Sequence, residues 1–161
     1  MLKHQTTQRL FLLIAMLWIG GLLAVGYLVV PTLFNTLTDR QVAGMVAAAI
    51  FQIESFVSLA LCAFMLIMAN ILVRSGISQY RMIRWILLGI FICALIIGLI
   101  LIPWMDSLRE TALLNGMPVM QSPAAGLFSK LHGSSSLIYL TQSILGIVMV
   151  WKLILAFSKS N

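Results

Sequence analysis

The chain has 161 residues, of which 61% are hydrophobic and only 9% are charged, whereas an average soluble domain carries about a quarter charged residues. This composition excludes an ordinary water-soluble domain. The net charge of +6 does not indicate a nucleic-acid partner, because the basic residues flank hydrophobic segments and do not cluster on a polar module.

Four apolar stretches recur, at 10–30, 56–73, 85–102 and 137–155, and each approaches the roughly 20 residues that a helix needs to cross a bilayer. Continuous apolar runs lack the alternation of a membrane barrel, and an open sheet edge finds no partner in lipid. We therefore predict an all-α polytopic membrane protein, with its helices extended on the extracytoplasmic side. It is a single four-helix transmembrane domain over 1–161, with helices at about 9–35, 41–74, 82–113 and 123–158.

The first predicted helix follows Lys3 and Arg9, as the core of a signal peptide would. Its apolar run of about 21 residues is longer than such a core, and no convincing small-residue cleavage site follows it. We expect a retained helix. Small residues in the first and third helices predict close helix packing; they are Gly20, Gly21, Ala24, Gly26, Gly89, Cys93 and Gly98.

The connections between the predicted helices differ in length. A short basic turn at 74–81 joins the second and third helices, and about 30 residues join the third and fourth. Ser122 followed by Pro123 is typical of a helix start. No internal repeat is strong enough to indicate a duplicated transporter.

The basic residues predict the topology. With the N-terminus inside, Lys3, Arg9, Arg74, Arg81, Arg84, Lys152 and Lys159 lie on the cytoplasmic side, against Arg40, Arg109 and Lys130 outside. By the positive-inside rule this count places both termini in the cytoplasm. We expect the chain to lie in a bacterial-type inner (plasma) membrane.

Polar residues are predicted to form a layer near the outer interface. At 1.5 Å per residue, Glu54 and His132 each lie roughly 28 to 30 Å from the cytoplasmic boundary, so we expect them to interact if their helices face each other. The stripe from His132 through Ser136 to Tyr139 should face protein. This layer is either a structural hydrogen-bonded cluster or a ligand or ion site; its candidate members are Asn35, Glu54, Asp106, His132, Ser136 and Tyr139.

The sequence predicts no cofactor, no metal site and no catalytic residue. Cys62 and Cys93 lack a CxxC partner, and buried thiols usually behave as small hydrophobes. His4 and His132 are predicted on opposite sides of the membrane, so one chain cannot supply facing axial histidines for haem.

Four short motifs resemble a known family: Trp18-Ile19-Gly20-Gly21, Pro31-Thr32-Leu33-Phe34, Ala43-Gly44, and Phe128 through His132-Gly133-Ser134. In order and spacing they are similar to the uncharacterised family typified by transmembrane protein 205 (domain of unknown function 4149). The resemblance implies four membrane helices and no established activity. It nominates Trp18, Gly20, Pro31, Phe34, Gly44 and His132, with Glu54 as a looser match.

The favoured interpretation of function is a non-enzymatic inner-membrane protein that interacts with lipid or protein. Its expected partners are the bilayer and either a second copy or another membrane protein. One alternative is transport of an ion, proton or small solute by an oligomer that uses Glu54 and His132. A second alternative is a membrane oxidoreductase.

Overall fold

The computed structural model describes the backbone of residues 2–158 and the side chains of residues 5–156. Within that range the chain is helical without strands, and four helices are long and apolar enough to cross a membrane. The predicted all-α polytopic bundle is therefore confirmed. The side chains of Lys3, His4 and Lys159, which entered the topology and haem arguments, lie outside the described residues.

Two of the four long helices are interrupted by a π-helical turn. Helix α1 consists of Leu2–Ala24, the π turn Val25–Val29 and Val30–Thr36, and helix α3 consists of Tyr80–Ile96, the π turn Ile97–Leu101 and Ile102–Leu114. Helices α2, Arg40–Arg74, and α4, Ala125–Ser158, are uninterrupted. A 3-10 turn, Val119–Gln121, lies in the connection between α3 and α4.

The helix ends follow local side-chain chemistry. The carboxylate of Asp39 caps α2 by accepting the backbone N–H of Gln41 at 2.8 Å. Gly76, with φ of +90°, allows the tight turn between α2 and α3. Ser122 accepts the N–H of Ala124 at 3.2 Å, so this capping hydroxyl lies just ahead of α4, which begins at Ala125.

The half of the bundle nearest the termini has a closed apolar core, which we call the proximal half. Helix α3 packs between α2 and α4, and α1 packs on α4. Phe11 meets Tyr80 edge to face with ring centroids 5.2 Å apart. The side chains of Cys62, Leu87 and Met149 are fully buried in the same cluster. This half therefore fixes the positions from which the helices continue into the opposite, distal half.

Both π turns lie in a repeated seven-residue pattern, an apolar residue and glycine followed by four further residues and proline. The two copies are Val25-Gly26-Tyr27-Leu28-Val29-Val30-Pro31 and Ile97-Gly98-Leu99-Ile100-Leu101-Ile102-Pro103. Proline has no N–H, and its ring clashes with the carbonyl four residues back. The helix widens to accommodate it, and the N–H of the residue before each proline bonds five residues back, Val30 to Val25 and Ile102 to Ile97.

The glycines divide into packed and open positions. A Cβ at Gly98 would lie 2.9 Å from the Cβ of Ser55, and one at Gly89 would lie 3.2 Å from Leu145. Gly20 and Gly21 have nothing within 4 Å of a Cβ, so the prediction that they support helix packing is wrong within this chain. They lie on the side of α1 that faces away from its neighbours.

Candidate ligand-binding cavity in the distal half

A cavity of about 1160 Å³ lies in the distal half, between all four helices and the turn at 118–121. Sites that enclose small ligands typically measure about 300 to 1000 Å³. The distal cavity is therefore large enough for a sizeable ligand.

The cavity has a buried back wall and an exposed front. Apart from Tyr139, the buried lining residues all lie on α2, α3 and the 3-10 turn; they are Ala47, Ile97, Ile102, Met105 and Val119. On the other two helices the lining includes exposed apolar side chains, Phe34 on α1 and Leu140 on α4. The mouth therefore lies between the distal segments of α1 and α4.

Tyr139 lies where α1 and α4 are still joined. Its hydroxyl donates to the backbone carbonyl of Leu22 at 2.6 Å, and its ring lies against Gly26. The ring of Phe51 meets Tyr139 edge to face at 5.1 Å between centroids. One turn away, the hydroxyl of Tyr27 donates to Ser143 at 3.2 Å. These aromatic rings form an apolar floor at the level of the first π turn.

A row of stacked side chains forms part of the rim. Arg109 Nη1 donates to Asp106 Oδ1, and the guanidinium lies 5.5 Å from the centre of the Phe128 ring. On α4, the rings of Phe128 and His132 are parallel with centroids 6.5 Å apart. Arg40 and Gln41 also line the cavity, from the start of α2. The rim is therefore polar and charged, in contrast to the floor.

The structure brings together four of the six residues predicted for the polar layer. Asp106, His132, Ser136 and Tyr139 line the cavity. The hydroxyl of Ser136 donates to the carbonyl of His132 at 2.9 Å, so this hydroxyl has a hydrogen-bond acceptor within its own helix. Asn35 is exposed at the end of α1 and does not line the cavity.

Glu54 belongs to a separate hydrogen-bonded chain. Trp18 Nε1 donates to Ser58 Oγ at 2.8 Å, and Ser58 donates to Glu54 Oε1 at 2.5 Å. Glu54 does not line the cavity. Among the described residues it forms no hydrogen bond or ion pair with His132, so the expected direct interaction does not form.

Three of the residues nominated by the resemblance, besides His132, meet at the cavity. Pro31 and Phe34 line it from α1, and Gly44 lines it from α2. Trp18 joins α1 to α2 through Ser58, and Gly20 faces away from the bundle. This grouping was not expected from the sequence, in which these residues stood only as motif positions.

Several further residues of the distal half were missed at the level of sequence. The seven-residue pattern shared by the first and third helices was a visible signal for both π turns. Gln142 gave no signal beyond its polarity; it is 1% exposed, and its amide nitrogen has no hydrogen-bond partner in the described part of the chain. Across residues 5–156, no three His, Cys, Asp or Glu side chains are grouped as metal ligands.

The fold and cavity define a polytopic four-helix membrane protein with a sideways-opening cavity in one half of the bundle. Residues 13–113 match the family described as Domain of unknown function (DUF4149), and the chain belongs to this family. The matched region contains both π turns, Trp18, Glu54 and Arg109, whereas His132 lies beyond it. No curated protein and no solved structure matches the chain.

Proposed function

We propose that this protein is a non-enzymatic membrane protein that holds a membrane lipid in its distal cavity. The observation that carries the proposal is the mouth between α1 and α4, at exposed residues such as Phe34 and Leu140. An opening on the flank of a transmembrane bundle faces the bilayer, so its natural ligand is a molecule that is already dissolved there.

The polarity of the cavity suits an amphiphile. The floor around Tyr139 and Phe51 is aromatic and apolar, whereas the rim contains Arg109, Asp106 and His132. A lipid that entered sideways would leave its acyl chains at the floor and its headgroup at the rim. Both ends would then lie in surroundings that match their polarity.

The depth of the cavity suits one leaflet. Along α3, Ile97, which packs in the same apolar cluster as Tyr139 of the floor, and Arg109 at the rim are twelve residues apart, which is roughly 18 Å of helix. Along α4, Tyr139 and His132 are seven residues apart, or roughly 10 Å. Half of the hydrocarbon core is about 15 Å thick, so the acyl chains of a single leaflet fit this span.

The proposal assigns the cavity to the outer leaflet of a bacterial-type plasma membrane, with both termini in the cytoplasm. This orientation is supported by the excess of basic residues at the proximal end. We also propose that the chain is related to transmembrane protein 205. Reporter fusions at Ser78 and Asn115 test the orientation. A cytoplasmic signal at Asn115 would move the lipid to the inner leaflet.

Two adjacent alanines on α2 offer a matched test of lipid binding. Ala48 lines the cavity, whereas Ala49 is exposed and lies outside the lining. We expect native mass spectrometry from nanodiscs to find a lipid on the wild type and on Ala49→Phe, but not on Ala48→Phe. Equal lipid retention by both variants, or a lipid-free wild type, would contradict the proposal.

The transport alternative is less well supported. It requires Glu54 and His132 to act together, but Glu54 bonds to Ser58 and lies outside the cavity lining. No observation favours the oxidoreductase alternative. A second copy or another membrane protein as partner remains a prediction.

A further inference from the structure

We propose that Arg109 binds the phosphate of an anionic phospholipid headgroup, an inference that rests on the proposed lipid site. The guanidinium lines the cavity at its rim and is held between Asp106 and Phe128.

Arg109 has hydrogen-bonding capacity that the protein does not use. Its side chain is only 13% exposed, and its described hydrogen bond is the one from Nη1 to Asp106. A guanidinium has five N–H donors, and a largely buried charge is costly unless it is paired and hydrogen-bonded. A phosphate in the cavity would accept the remaining donors in the two-pronged geometry that arginine favours.

The guanidinium is also held in place before a ligand arrives. Asp106 fixes it along α3, and the Phe128 ring from α4 covers one face at 5.5 Å. Because the side chain is already ordered, less conformational entropy is lost on binding. Asp106, whose side chain is 40% exposed, leaves a net charge near zero on the pair, so the phosphate is recognised by hydrogen-bond geometry more than by excess charge.

The charged side chains around Arg109 are compatible with an anionic ligand. Asp39, the other acid in the lining, already accepts backbone N–H groups from Gln41 and Val42 at 2.8 and 3.4 Å. Arg40 adds a second guanidinium, and His132 adds an imidazole across the Phe128 ring. No acid besides Asp39 and Asp106 lines the described cavity, so a phosphate meets two arginines and two acids that are already engaged.

The test compares phosphatidic acid with diacylglycerol of the same acyl chains, since these lipids differ only in the phosphate. Binding to the full chain in nanodiscs is measured by native mass spectrometry. We expect the wild type to prefer phosphatidic acid by about tenfold or more, as one charge-assisted interaction predicts. Arg109→Gln should remove this preference and leave diacylglycerol binding unchanged, and Arg109→Lys should keep part of it.

Lys130→Gln is the matched control, because Lys130 lies at the same end of the bundle but outside the cavity lining. If Arg109→Gln fails to fold, Asp106→Asn combined with Arg109→Gln removes the unpaired acid and serves in its place. Equal binding of the two lipids to the wild type, or an equal loss in Lys130→Gln, would overturn the role of Arg109. If the wild type binds neither phosphatidic acid nor diacylglycerol, the proposed function itself is overturned.

Discussion

The two π turns have the same sequence pattern and the same hydrogen-bonding shift, but the glycine of the α3 turn, Gly98, packs against α2, whereas the glycine of the α1 turn, Gly26, lines the cavity. Around Gly98 on α3, Ser55 of α2 packs against the backbone, and Gln52 donates to the Gly98 carbonyl at 3.4 Å. Around Gly26 on α1, the nearest side chain is the Tyr139 ring, and beyond it the lining continues to Pro31 and Phe34.

Proline causes the π turn in both helices, whereas the neighbouring helices determine how the freed carbonyl is satisfied. Pro103 lies five residues after Gly98 and has no N–H to offer its carbonyl, so Gln52 of the next helix supplies a donor. Such a contact needs a helix packed closely alongside. The distal segment of α1 has that support from α2 but not from α4, where the mouth of the cavity lies. The π turn of α3 therefore lies in the buried wall of the cavity, and the π turn of α1 leads to its mouth, because different helices pack beside the two turns.

The largest effect is expected for Gly98→Leu. A Cβ at Gly98 would already lie 2.9 Å from the Cβ of Ser55, an atom fixed close to the α2 backbone. A leucine there would force α2 and α3 apart, at a cost of about 3 kcal/mol in the free energy of unfolding. Thermal melts in detergent measure it. Gly20→Leu is the control, because open space surrounds Gly20, and equal melting temperatures for the two variants would show that Gly98 is not packed tightly against α2.

Gly26→Ala is expected to have a smaller effect. The added methyl group meets the Tyr139 ring, which can turn towards the cavity at the loss of its hydrogen bond to Leu22. We expect a cost of about 1 kcal/mol. In a Tyr139→Leu background this cost should nearly vanish, because the clashing ring is absent. Additive losses in the double-mutant cycle, measured by thermal melts, would mean that the strain lies in the α1 backbone itself.

The fold class followed from the sequence because hydrocarbon accepts few structures. Runs of about 20 apolar residues between basic flanks leave a helical bundle as the one reasonable solution. The cavity did not follow, because its lining is assembled by side chains distant in sequence, such as Arg109 and Phe128 on either side of the long connection. Helical rise gives the height of a residue along the helix, but not the direction in which it faces.

Glu54 and His132 illustrate that limit. The helical rise places them at a similar height, but Glu54 bonds to Ser58 beneath Trp18, and His132 stacks on Phe128 at the rim. The pattern shared by 25–31 and 97–103 could have indicated the π turns. It could not have indicated which of the two glycines lines the cavity, because that depends on the helices packed beside each turn.

A third prediction concerns the carbonyl of Gly98. Gln52→Met removes its side-chain donor and should cost about 0.5 to 1 kcal/mol, the range of a single hydrogen bond in a membrane protein. In a Pro103→Ala background the new N–H can bond to the same carbonyl, so Gln52→Met should then cost less. Thermal melts of the four variants measure the coupling. An unchanged cost would show that Gln52 contributes by packing and not through this bond.

The smallest loss of stability is expected for Gln142→Met, at a position three residues beyond Tyr139 on α4. Its side chain is 1% exposed, and its amide nitrogen has no partner in the described structure. An unsatisfied buried donor costs about 1 to 3 kcal/mol, and an apolar group of similar shape avoids that cost. Gln142→Met should therefore leave the melting temperature unchanged or raise it slightly, while Gln142→Glu lowers it. A clear loss of stability in Gln142→Met would mean that the amide has a partner in the membrane, either a water molecule or a bound lipid. Melts with and without added lipid distinguish these two partners, because the loss of stability depends on lipid only if the partner is a lipid.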